Sequence, residues 1–298
     1  MTSCADVAAL ADNRLTYAAG RTYAAILGAN PSKGARSPTL WNAAFAAHGI
    51  DAEMLPIDVP FERLPALLDT LEGDACFMGG AVAVPYKETT ARWLGTRMTA
   101  EAEDIGAVNC LFRDGAGQLI GTNTDGEGAL ASFQARIGPA TGRSVLLLGP
   151  GGAGKAVAAF FRRAVEPNGQ LRIAGRSDGG RRYAERLGCD WVGWSERAAA
   201  MPDVDVLINC TSVGSGATAR DSPVEGDLLA RLPDRALVFD IIYDPSPSTL
   251  LTLAAGRGLQ VLDGLAMNLE QAVLAFGHAT PQAKGREVTR AAMERTRR

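Results

Sequence analysis

Three spaced glycines lie in the middle of the chain, between apolar residues 144–148 and an alanine-rich segment. Between a strand and a helix, the first glycine permits a tight turn and the second lets backbone N–H groups approach a pyrophosphate. The third lets helix and strand pack closely, with the helix N-terminus facing the anion. The spacing therefore predicts a dinucleotide-binding turn. Its predicted cofactor contacts are Gly149, Gly151, Gly152, Ala153 and Gly154.

The same turn also satisfies most of a P-loop. Its glycines and Lys155 have the required spacing, and residues 237–240 could form the metal-binding strand. A P-loop needs Ser or Thr after the lysine to hold Mg²⁺, and Ala156 has no oxygen to offer. A strand predicted at 170–174 ends about where a Rossmann unit meets the adenosine ribose, which favours the dinucleotide interpretation. A P-loop and a purely structural glycine turn are the alternatives.

A second candidate for chemistry is Lys87, which follows apolar residues 81–84 and a Pro-Tyr pair. This order predicts a lysine at a strand end, where an amine can exchange a proton with a substrate. The two histidines, His48 and His278, are too isolated for a Ser-His-Asp arrangement or a histidine-rich metal site, and no metal is predicted. The alternative is a surface lysine paired with Glu88.

Strand and helix patterns alternate along the whole chain, which predicts an α/β fold. Residues 1–18 are interpreted as a loosely attached extension. In the first part, strands are predicted at 23–27, 53–59 and 75–84, helices at 37–48 and 61–71, and a hairpin at 108–113 and 119–121. In the second part, strands at 144–148, 170–174, 204–208 and 236–240 alternate with helices and predict a doubly wound parallel sheet. Helices at 265–278 and 283–296 close the chain.

Length and composition narrow the class of protein. The chain has 298 residues, enough for two domains, and 47% of them are hydrophobic. With a formal charge of −3, the chain lacks the excess of basic residues that nucleic-acid binding requires. No segment has the pattern of a membrane span. Five cysteines without a C-x-x-C pair indicate reduced thiols. We expect a cytoplasmic protein whose partners are small molecules, and a homodimer is one candidate assembly.

Eight blocks, in order within residues 23–272, resemble the shikimate dehydrogenase family. The blocks are residues 37–45, 84–88, 106–109, 123–126, 149–154, 209–212, 240–245 and 263–272. The resemblance implies an α/β substrate domain of residues 1–126, completed by C-terminal helices within 264–298. It also implies a Rossmann-type dinucleotide domain of residues 127–263, with a cleft between the two domains.

The resemblance further implies a reaction, in which a ring secondary alcohol and its ketone interconvert by hydride transfer with a nicotinamide. Lys87 and Asp125 correspond to the catalytic pair of the family. The implied substrate contacts are Ser37, Asn109, Tyr243 and Gln271. Beyond the glycine turn, the implied cofactor contacts are Arg176, Ser177, Thr211 and Ser212. The structural alternatives are a helix N-cap for Ser37, a core aromatic for Tyr243 and a helix-surface residue for Gln271.

NADP is the expected cofactor, with NAD as the alternative. Arg176 follows the strand at 170–174, whose end lacks the acidic residue that would bind the ribose diol of NAD. The second basic residue of the family falls here on Gly180, and Arg181 or Arg182 could substitute for it.

Three positions depart from the family pattern. Ala35 stands where the family has the first serine of Ser-x-Ser-Pro, and Ala81 and Ala83 replace an asparagine and a threonine of the ring pocket. Each unpaired polar group of a buried substrate costs about 1–3 kcal/mol. We therefore expect an altered substrate, a cyclitol or a shikimate or quinate analogue that is less polar or lacks the carboxylate. The alternatives are authentic shikimate or quinate dehydrogenase, and a non-catalytic regulatory relative.

Overall fold

The computed structural model describes residues 4–18, 20–283 and 285–297, and the chain divides into two compact units. The first unit comprises Met1–Thr124 and Ala272–Arg298, and the second comprises Asp125–Gln271. The sequence predicts domain boundaries after residues 126 and 263, and the structure has them after 124 and 271. The first boundary is earlier because a helix already begins at Asp125. The second is later because the helix that starts at Gly264 continues through residue 271.

The first unit contains a five-stranded sheet. Its strands are β1 (Tyr23–Gly28), β2 (Glu53–Asp58), β3 (Phe77–Val82), β4 (Cys110–Arg113) and β5 (Leu119–Thr122). They are ordered β2-β1-β3-β4-β5. The first three are parallel, and β4 is antiparallel to both of its neighbours. Every residue of β1 is buried, as expected for a central apolar strand.

Helices flank this sheet. They are α1 (Cys4–Leu10), α2 (Ser37–His48), α3 (Leu64–Gly73), α4 (Lys87–Leu94) and α5 (Ala100–Ile105). The predicted helix at 61–71 begins instead as a single 3₁₀ turn, Phe61–Arg63, before α3. The predicted strand at 75–84 is shorter than expected because Val84 is 64% exposed and lies beyond the sheet.

The N-terminal segment is docked, so the prediction of a loosely attached extension is wrong for its described residues. Val7 of α1 is 1% exposed and belongs to the core of the first unit. The Asn13 side chain donates to the Pro56 carbonyl at 2.9 Å and accepts from the Asp58 amide at 2.8 Å. Because β2 is an edge strand, Asn13 satisfies backbone groups that the sheet leaves unpaired.

The second unit is built on a six-stranded parallel sheet. Its strands are β6 (Ser144–Leu148), β7 (Gln170–Gly175), β8 (Asp190–Gly193), β9 (Val206–Asn209), β10 (Leu237–Asp240) and β11 (Gln260–Leu262). Their order is β11-β10-β9-β6-β7-β8. This is the strand order of a Rossmann fold, and the connection reverses direction between β6 and β9. The predicted doubly wound sheet is confirmed, and β8 and β11 are additional edge strands.

Helices cover both faces of this sheet. They are α6 (Asp125–Ile137), α7 (Gly152–Ala164), α8 (Asp178–Leu187), α9 (Arg197–Ala200), α10 (Gly226–Leu229), α11 (Thr249–Gly256) and α12 (Gly264–Ala279). One core cluster contains Phe133, Phe161 and Phe239, and another contains Leu146 and Met201. Two apolar layers therefore enclose the strands, and this packing fixes the positions of the carboxyl ends of the strands.

The C-terminal helices contribute to the first unit. Phe276, near the end of α12, lies 5.2 Å from the ring of Trp41 and 5.2 Å from the ring of Phe45. The last helix, α13 (Arg286–Glu294), packs on α2, where His48 Nε2 lies 2.8 Å from Thr289 Oγ1. Lys284, inside the predicted helix at 283–296, lies outside the described residues. Within the described ranges, no helix has the length and apolarity needed to cross a bilayer.

Candidate active site

The glycine turn connects β6 to α7, as its spacing predicts. Gly149 has φ +87°, a conformation that favours glycine, and a Cβ at this position would lie 2.6 Å from Thr211 Cγ2. A Cβ at Gly154 would collide with the Gly149 carbonyl oxygen, so only glycine lets α7 begin this close to the strand. Gly151 is the N-cap of α7, and a Cβ there would have no atom within 4 Å. The helix N-terminus is therefore open to an approaching anion.

The P-loop interpretation conflicts with the surroundings of this turn. Lys155 Nζ lies 5.8 Å from the ring centroid of Tyr183, whose hydroxyl donates to the Lys155 carbonyl at 2.7 Å. Ala156 is fully buried. Asp240, the metal ligand that a P-loop would require, is also fully buried and accepts hydrogen bonds from three groups of the second unit. The geometry favours the dinucleotide turn.

Two buried polar residues, neither of them among the predicted site residues, organise the neighbouring loop. Asn209 ends β9 and Asp240 ends β10, and the Asn209 amide donates to Asp240 Oδ1 at 2.9 Å. Asn209 Oδ1 in turn accepts from the backbone N–H of Thr211 at 2.9 Å and from its hydroxyl at 2.7 Å. Thr211 is thereby held against Gly149. The available signal was a polar residue at the end of each of two otherwise apolar strands.

Burial affects the ionisation of this region. It raises the pKa of Asp240, although hydrogen bonds from Ser248, Ile242 and Asn209 oppose the shift. Burial also raises the pKa of the Cys210 thiol, and the carboxylates of Asp240 and Asp125 raise it further. Asp125 is 4% exposed and is the first residue of α6. Because its charge acts on Cys210, its carboxylate faces the loop that follows β9.

Lys87 occupies a different position from the one predicted. It is the first residue of α4 and not the end of a strand, since β3 stops at Val82. The preceding Tyr86 is buried, and its hydroxyl donates to the Val59 carbonyl at 2.5 Å. Burial raises the pKa of Tyr86. The Lys87 carbonyl accepts from the Val108 amide at 2.9 Å, so the start of α4 is tied to the chain beside Asn109.

Asn109 and Thr124 form a buried reciprocal pair in the first unit. Asn109 Nδ2 donates to Thr124 Oγ1 at 3.0 Å, and the Thr124 amide donates to Asn109 Oδ1 at 2.8 Å. Asn123 Nδ2 donates to the Ala107 carbonyl at 2.8 Å. Because Thr124 directly precedes Asp125, these bonds fix the backbone that leads into the predicted catalytic carboxylate.

The remaining predicted substrate contacts lie in both units. Ser37 is buried and is the first residue of α2, whose N-cap is Arg36 without a side-chain capping bond, so the prediction of a Ser37 N-cap is wrong. Gln271 lies on α12, and its Nε2 donates to the Asn268 carbonyl at 2.9 Å. Tyr243 is half-buried in the loop after β10.

The predicted catalytic and substrate residues thus fall into two groups. The first unit contains Ser37, Lys87 and Asn109, and the second contains Asp125, Tyr243 and Gln271. All of the predicted cofactor residues lie in the second unit.

A cationic cavity lies at the carboxyl end of β7. It has a volume of about 370 Å³, and Arg176, Ser177 and Arg181 line it. Ser177 is the N-cap of α8, where its hydroxyl accepts from the Gly180 amide at 3.1 Å. The positive charge and the open helix N-terminus of α7 suit a phosphorylated dinucleotide. Among the described residues, no group of three or more His, Cys, Asp or Glu side chains could hold a metal ion.

Comparison with known proteins decides the family. Residues 27–111 match the family model described as the shikimate dehydrogenase substrate binding domain. A shikimate dehydrogenase (NADP(+)) from Thermosynechococcus vestitus is 33% identical over 276 residues, which cover 89% of this chain and 92% of that protein. The chain belongs to the shikimate dehydrogenase family. A second family member, from Methylobacterium radiotolerans, is 36% identical over 256 residues, covering 83% of this chain and 87% of that protein.

A solved structure agrees with this assignment. The crystal structure of shikimate 5-dehydrogenase from Thermus thermophilus, in complex with NADP(H) and shikimate, matches with a TM-score of 0.77. It is 29% identical and covers 92% of this chain and 99% of its own. The resemblance inferred from eight sequence blocks is confirmed, and so is the α/β fold class. As a member of the shikimate dehydrogenase family, the chain is an oxidoreductase of the alcohol dehydrogenase type.

Proposed function

We propose that this protein is an NADP-dependent oxidoreductase that interconverts a ring secondary alcohol and its ketone, on a substrate less polar than shikimate. One observation carries the proposal. Lys87, Asp125 and the Asn109–Thr124 pair are retained, whereas alanine stands at the three positions where the family pattern has serine, asparagine and threonine. Groups suited to proton transfer are retained, and three groups that would recognise a polar ring are absent.

The cofactor assignment rests on the second unit. Its glycine turn offers an open helix N-terminus to a pyrophosphate, and Arg176 and Arg181 supply positive charge at the end of β7. The relatives from Thermosynechococcus vestitus and Methylobacterium radiotolerans are both named shikimate dehydrogenase (NADP(+)), and the Thermus thermophilus structure holds NADP(H). The bound nicotinamide would accept or supply the hydride. The loop of Thr211 and Ser212, held by Asn209, would position the nicotinamide end of the cofactor.

We assign proton transfer to Lys87, with Asp125 as its partner carboxylate. Oxidation of a carbinol requires the hydroxyl proton to leave as the hydride departs, and a positioned amine can accept it. In the direction of reduction, the ammonium returns the proton to the carbonyl oxygen. Asn109 would hydrogen-bond a neighbouring ring hydroxyl, and Ser37, Tyr243 and Gln271 would bind other parts of the substrate.

The substrate class follows from the alanines. Ala81 is 8% exposed on β3, and Ala83 follows this strand, where its amide donates to the Leu27 carbonyl at 2.7 Å. Neither methyl group can satisfy a substrate hydroxyl, and Ala35 cannot bind a carboxylate. An unpaired polar group costs about 1–3 kcal/mol, and more when it is charged. A cyclitol, or a shikimate or quinate analogue without the carboxylate, avoids these costs.

A substrate screen tests the proposal. Purified protein would be assayed with NADP⁺ and NAD⁺ against shikimate, quinate and ring alcohols without a carboxylate, by nicotinamide absorbance. We expect turnover that prefers NADP⁺ and is faster with a ring alcohol than with shikimate. Lys87→Ala should lower this turnover strongly, and the adjacent Glu88→Gln should not. Shikimate as the best substrate would instead support authentic shikimate dehydrogenase, which the names of the relatives favour. Cofactor binding without any turnover would support a regulatory role.

A further inference from the structure

One tryptophan in the second unit is contacted by two arginines. Trp194 begins a 3₁₀ turn directly after β8. The guanidinium carbon of Arg197 lies 4.3 Å from the centroid of its ring, and that of Arg176 lies 5.8 Å from it. Both distances are within the range of cation–π attraction. Trp194 therefore contacts an arginine that the sequence predicts as a cofactor ligand.

The turn that carries Trp194 is fixed at both ends. The Glu196 carboxylate accepts from the Gly193 amide at 3.1 Å, which closes the turn at its start. The Arg197 guanidinium donates to the Trp194 carbonyl, so Arg197 holds both the ring and the backbone of Trp194. The turn and the indole are thus held by contacts that do not involve Arg176.

Trp194 also lines the cationic cavity at the carboxyl end of β7, together with Arg176, Asp178, Arg181 and Trp191. Arg176 is exposed, and an exposed arginine has many rotamers to lose when it binds a ligand. Contact with the fixed indole restricts those rotamers before any ligand arrives. A planar guanidinium ordered in this way is suited to bind a phosphate through two hydrogen bonds.

The same cavity explains why glycine replaces the second basic residue of the family at position 180. A Cβ at Gly180 would lie 2.5 Å from Pro150 Cγ and 3.2 Å from Trp191 Cη2. Pro150 belongs to the glycine turn, so a side chain at position 180 would collide with the pyrrolidine ring of that turn. The next residue, Arg181, is exposed and lines the cavity.

We propose that Trp194 is a positioning residue for cofactor selectivity: it holds Arg176 in place for the 2′-phosphate of NADP, and Arg181 supplies the second cation. The proposal rests on the NADP dependence proposed above. It assigns the preference for NADP over NAD to a stacked pair, Arg176 on Trp194, and not to Arg176 alone. Neither Trp194 nor Arg197 would touch the phosphate.

Calorimetric titration with adenosine 2′,5′-bisphosphate and with AMP isolates this contact, because the two probes differ by the 2′-phosphate. For Trp194→Leu we expect adenosine 2′,5′-bisphosphate to bind about two- to fivefold more weakly, the value of one exposed cation–π contact. AMP binding should not change. Trp194→Phe, which keeps an aromatic face, should retain most of the affinity. In an Arg176→Ala background, Trp194→Leu should have no further effect.

Two controls keep the result interpretable. Trp93→Leu removes the tryptophan of another arginine stack, in the first unit, where Arg97 lies 4.5 Å from the ring, and it should leave both affinities unchanged. If Trp194→Leu does not fold, as judged by its unfolding midpoint, Arg197→Leu removes the residue that fixes Trp194 and should weaken binding of adenosine 2′,5′-bisphosphate selectively.

Three outcomes would overturn the proposal. If Trp194→Leu weakens the binding of both probes equally, Trp194 contacts the adenine ring instead. If neither affinity changes, Trp194 has no role in binding. If Trp194→Leu has the same effect with and without Arg176, Trp194 does not act through Arg176. The titrations need no ring substrate, so a failed substrate screen leaves them unaffected. Conversely, a wild-type protein that binds AMP as tightly as the bisphosphate would refute this inference while NAD-dependent turnover persisted.

Discussion

Asn209 and Asp240 are directly opposed on neighbouring parallel strands, and a buried hydrogen bond of 2.9 Å joins Asn209 Nδ2 to Asp240 Oδ1. The same carboxylate accepts from the Ile242 amide at 3.1 Å and from the Ser248 hydroxyl at 2.6 Å. One buried charge therefore organises the loop that carries Thr211 and the loop that carries Tyr243. These two loops contain a predicted cofactor contact and a predicted substrate contact.

Asp240→Ala should destabilise the protein and weaken cofactor binding. It removes the carboxylate that accepts from three buried donors, so we expect the free energy of unfolding to fall by about 2–4 kcal/mol. The KM for NADP should rise because Thr211 loses its support through Asn209. Asp240→Asn keeps one oxygen acceptor and should cost less in both respects. Chemical denaturation and steady-state kinetics measure the two effects. An unchanged KM for NADP in a folded Asp240→Ala variant would show that these hydrogen bonds do not support cofactor binding.

The pH dependence of stability should carry a contribution from Asp240. Burial raises its pKa in the folded state, so the folded protein holds this proton at pH values where the unfolded chain has released it. The contribution of Asp240 to stability should therefore decrease as the pH rises from about 3.9, the ordinary pKa of aspartate, through its raised folded value. Asp240→Asn should lack this decrease. If denaturation curves of the two proteins run parallel over this range, Asp240 does not titrate as we infer.

Lys87→Ala should lower kcat by about 10²–10⁴, the usual value of positioned acid-base catalysis. The dissociation constant for NADP should stay unchanged, because Lys87 lies in the first unit and the cofactor residues lie in the second. Glu88→Gln, on the same helix, is the matched control. Stopped-flow and steady-state assays on the true substrate would measure both quantities, and near wild-type turnover would remove Lys87 from the mechanism.

Asp125→Asn should give a similar loss of kcat, and the double variant with Lys87→Ala should lose little more than either single variant, because residues that act as a unit are not additive. Asp125 also begins α6. Losing its charge at a helix N-terminus costs about 0.3–1 kcal/mol, so unfolding midpoints must accompany the kinetics. Independent, multiplicative losses would show that the two residues do not cooperate.

The sequence predicted the Rossmann sheet well because β6, β9 and β10 are apolar and buried on both faces. It missed β8 and β11, which lie at the edges of the sheet, because partly exposed strands lack a continuous apolar run. The rule that a continuous apolar run predicts a buried strand also gave the wrong position for Lys87. Val84 continues the apolar run before Lys87, but it is 64% exposed and lies beyond the strand.

The candidate site could be predicted only where its residues are close in sequence. The glycine turn is a local pattern, and its strand-to-helix geometry is as expected. Asn209 and Asp240 are separated by about thirty residues of chain, and only the register of β9 and β10 brings them together. The contact between Arg176 and Trp194 likewise depends on β8, a strand that the sequence did not reveal.

Arg176→Ala should reverse or remove the cofactor preference. A hydrogen-bonded charge pair contributes about 1.5–3 kcal/mol, so kcat/KM with NADP should fall roughly 10- to 100-fold. The same quantity with NAD should change little. Arg186→Ala is a suitable control, because Arg186 lies on α8 and stacks on Tyr183, away from the cationic cavity. If the wild type prefers NAD and Arg176→Ala leaves that preference intact, the NADP assignment is wrong.

Restoring the three missing polar groups should restore activity on shikimate. In the triple variant Ala35→Ser, Ala81→Asn and Ala83→Thr, each hydrogen bond contributes about 0.5–1.5 kcal/mol, so kcat/KM for shikimate should rise by roughly 10- to 1,000-fold if the gains add. Neighbouring substitutions in one pocket couple, and the gain should differ from the sum of the single variants.

Space beside these residues limits how far the rescue can go. Ala81 is buried on β3, and the Cβ of Ala83 lies close to Gly28, so larger side chains at these positions enter a packed region, where added volume costs stability. The unfolding midpoint and the affinity for NADP should be measured alongside the kinetics, because a variant that retains both has changed only its substrate pocket. Efficient shikimate turnover by the wild type, equal to its turnover of every other ring alcohol, would refute the altered-pocket argument. It would show that Ser37 and Asn109, without the three lost groups, are enough to bind shikimate.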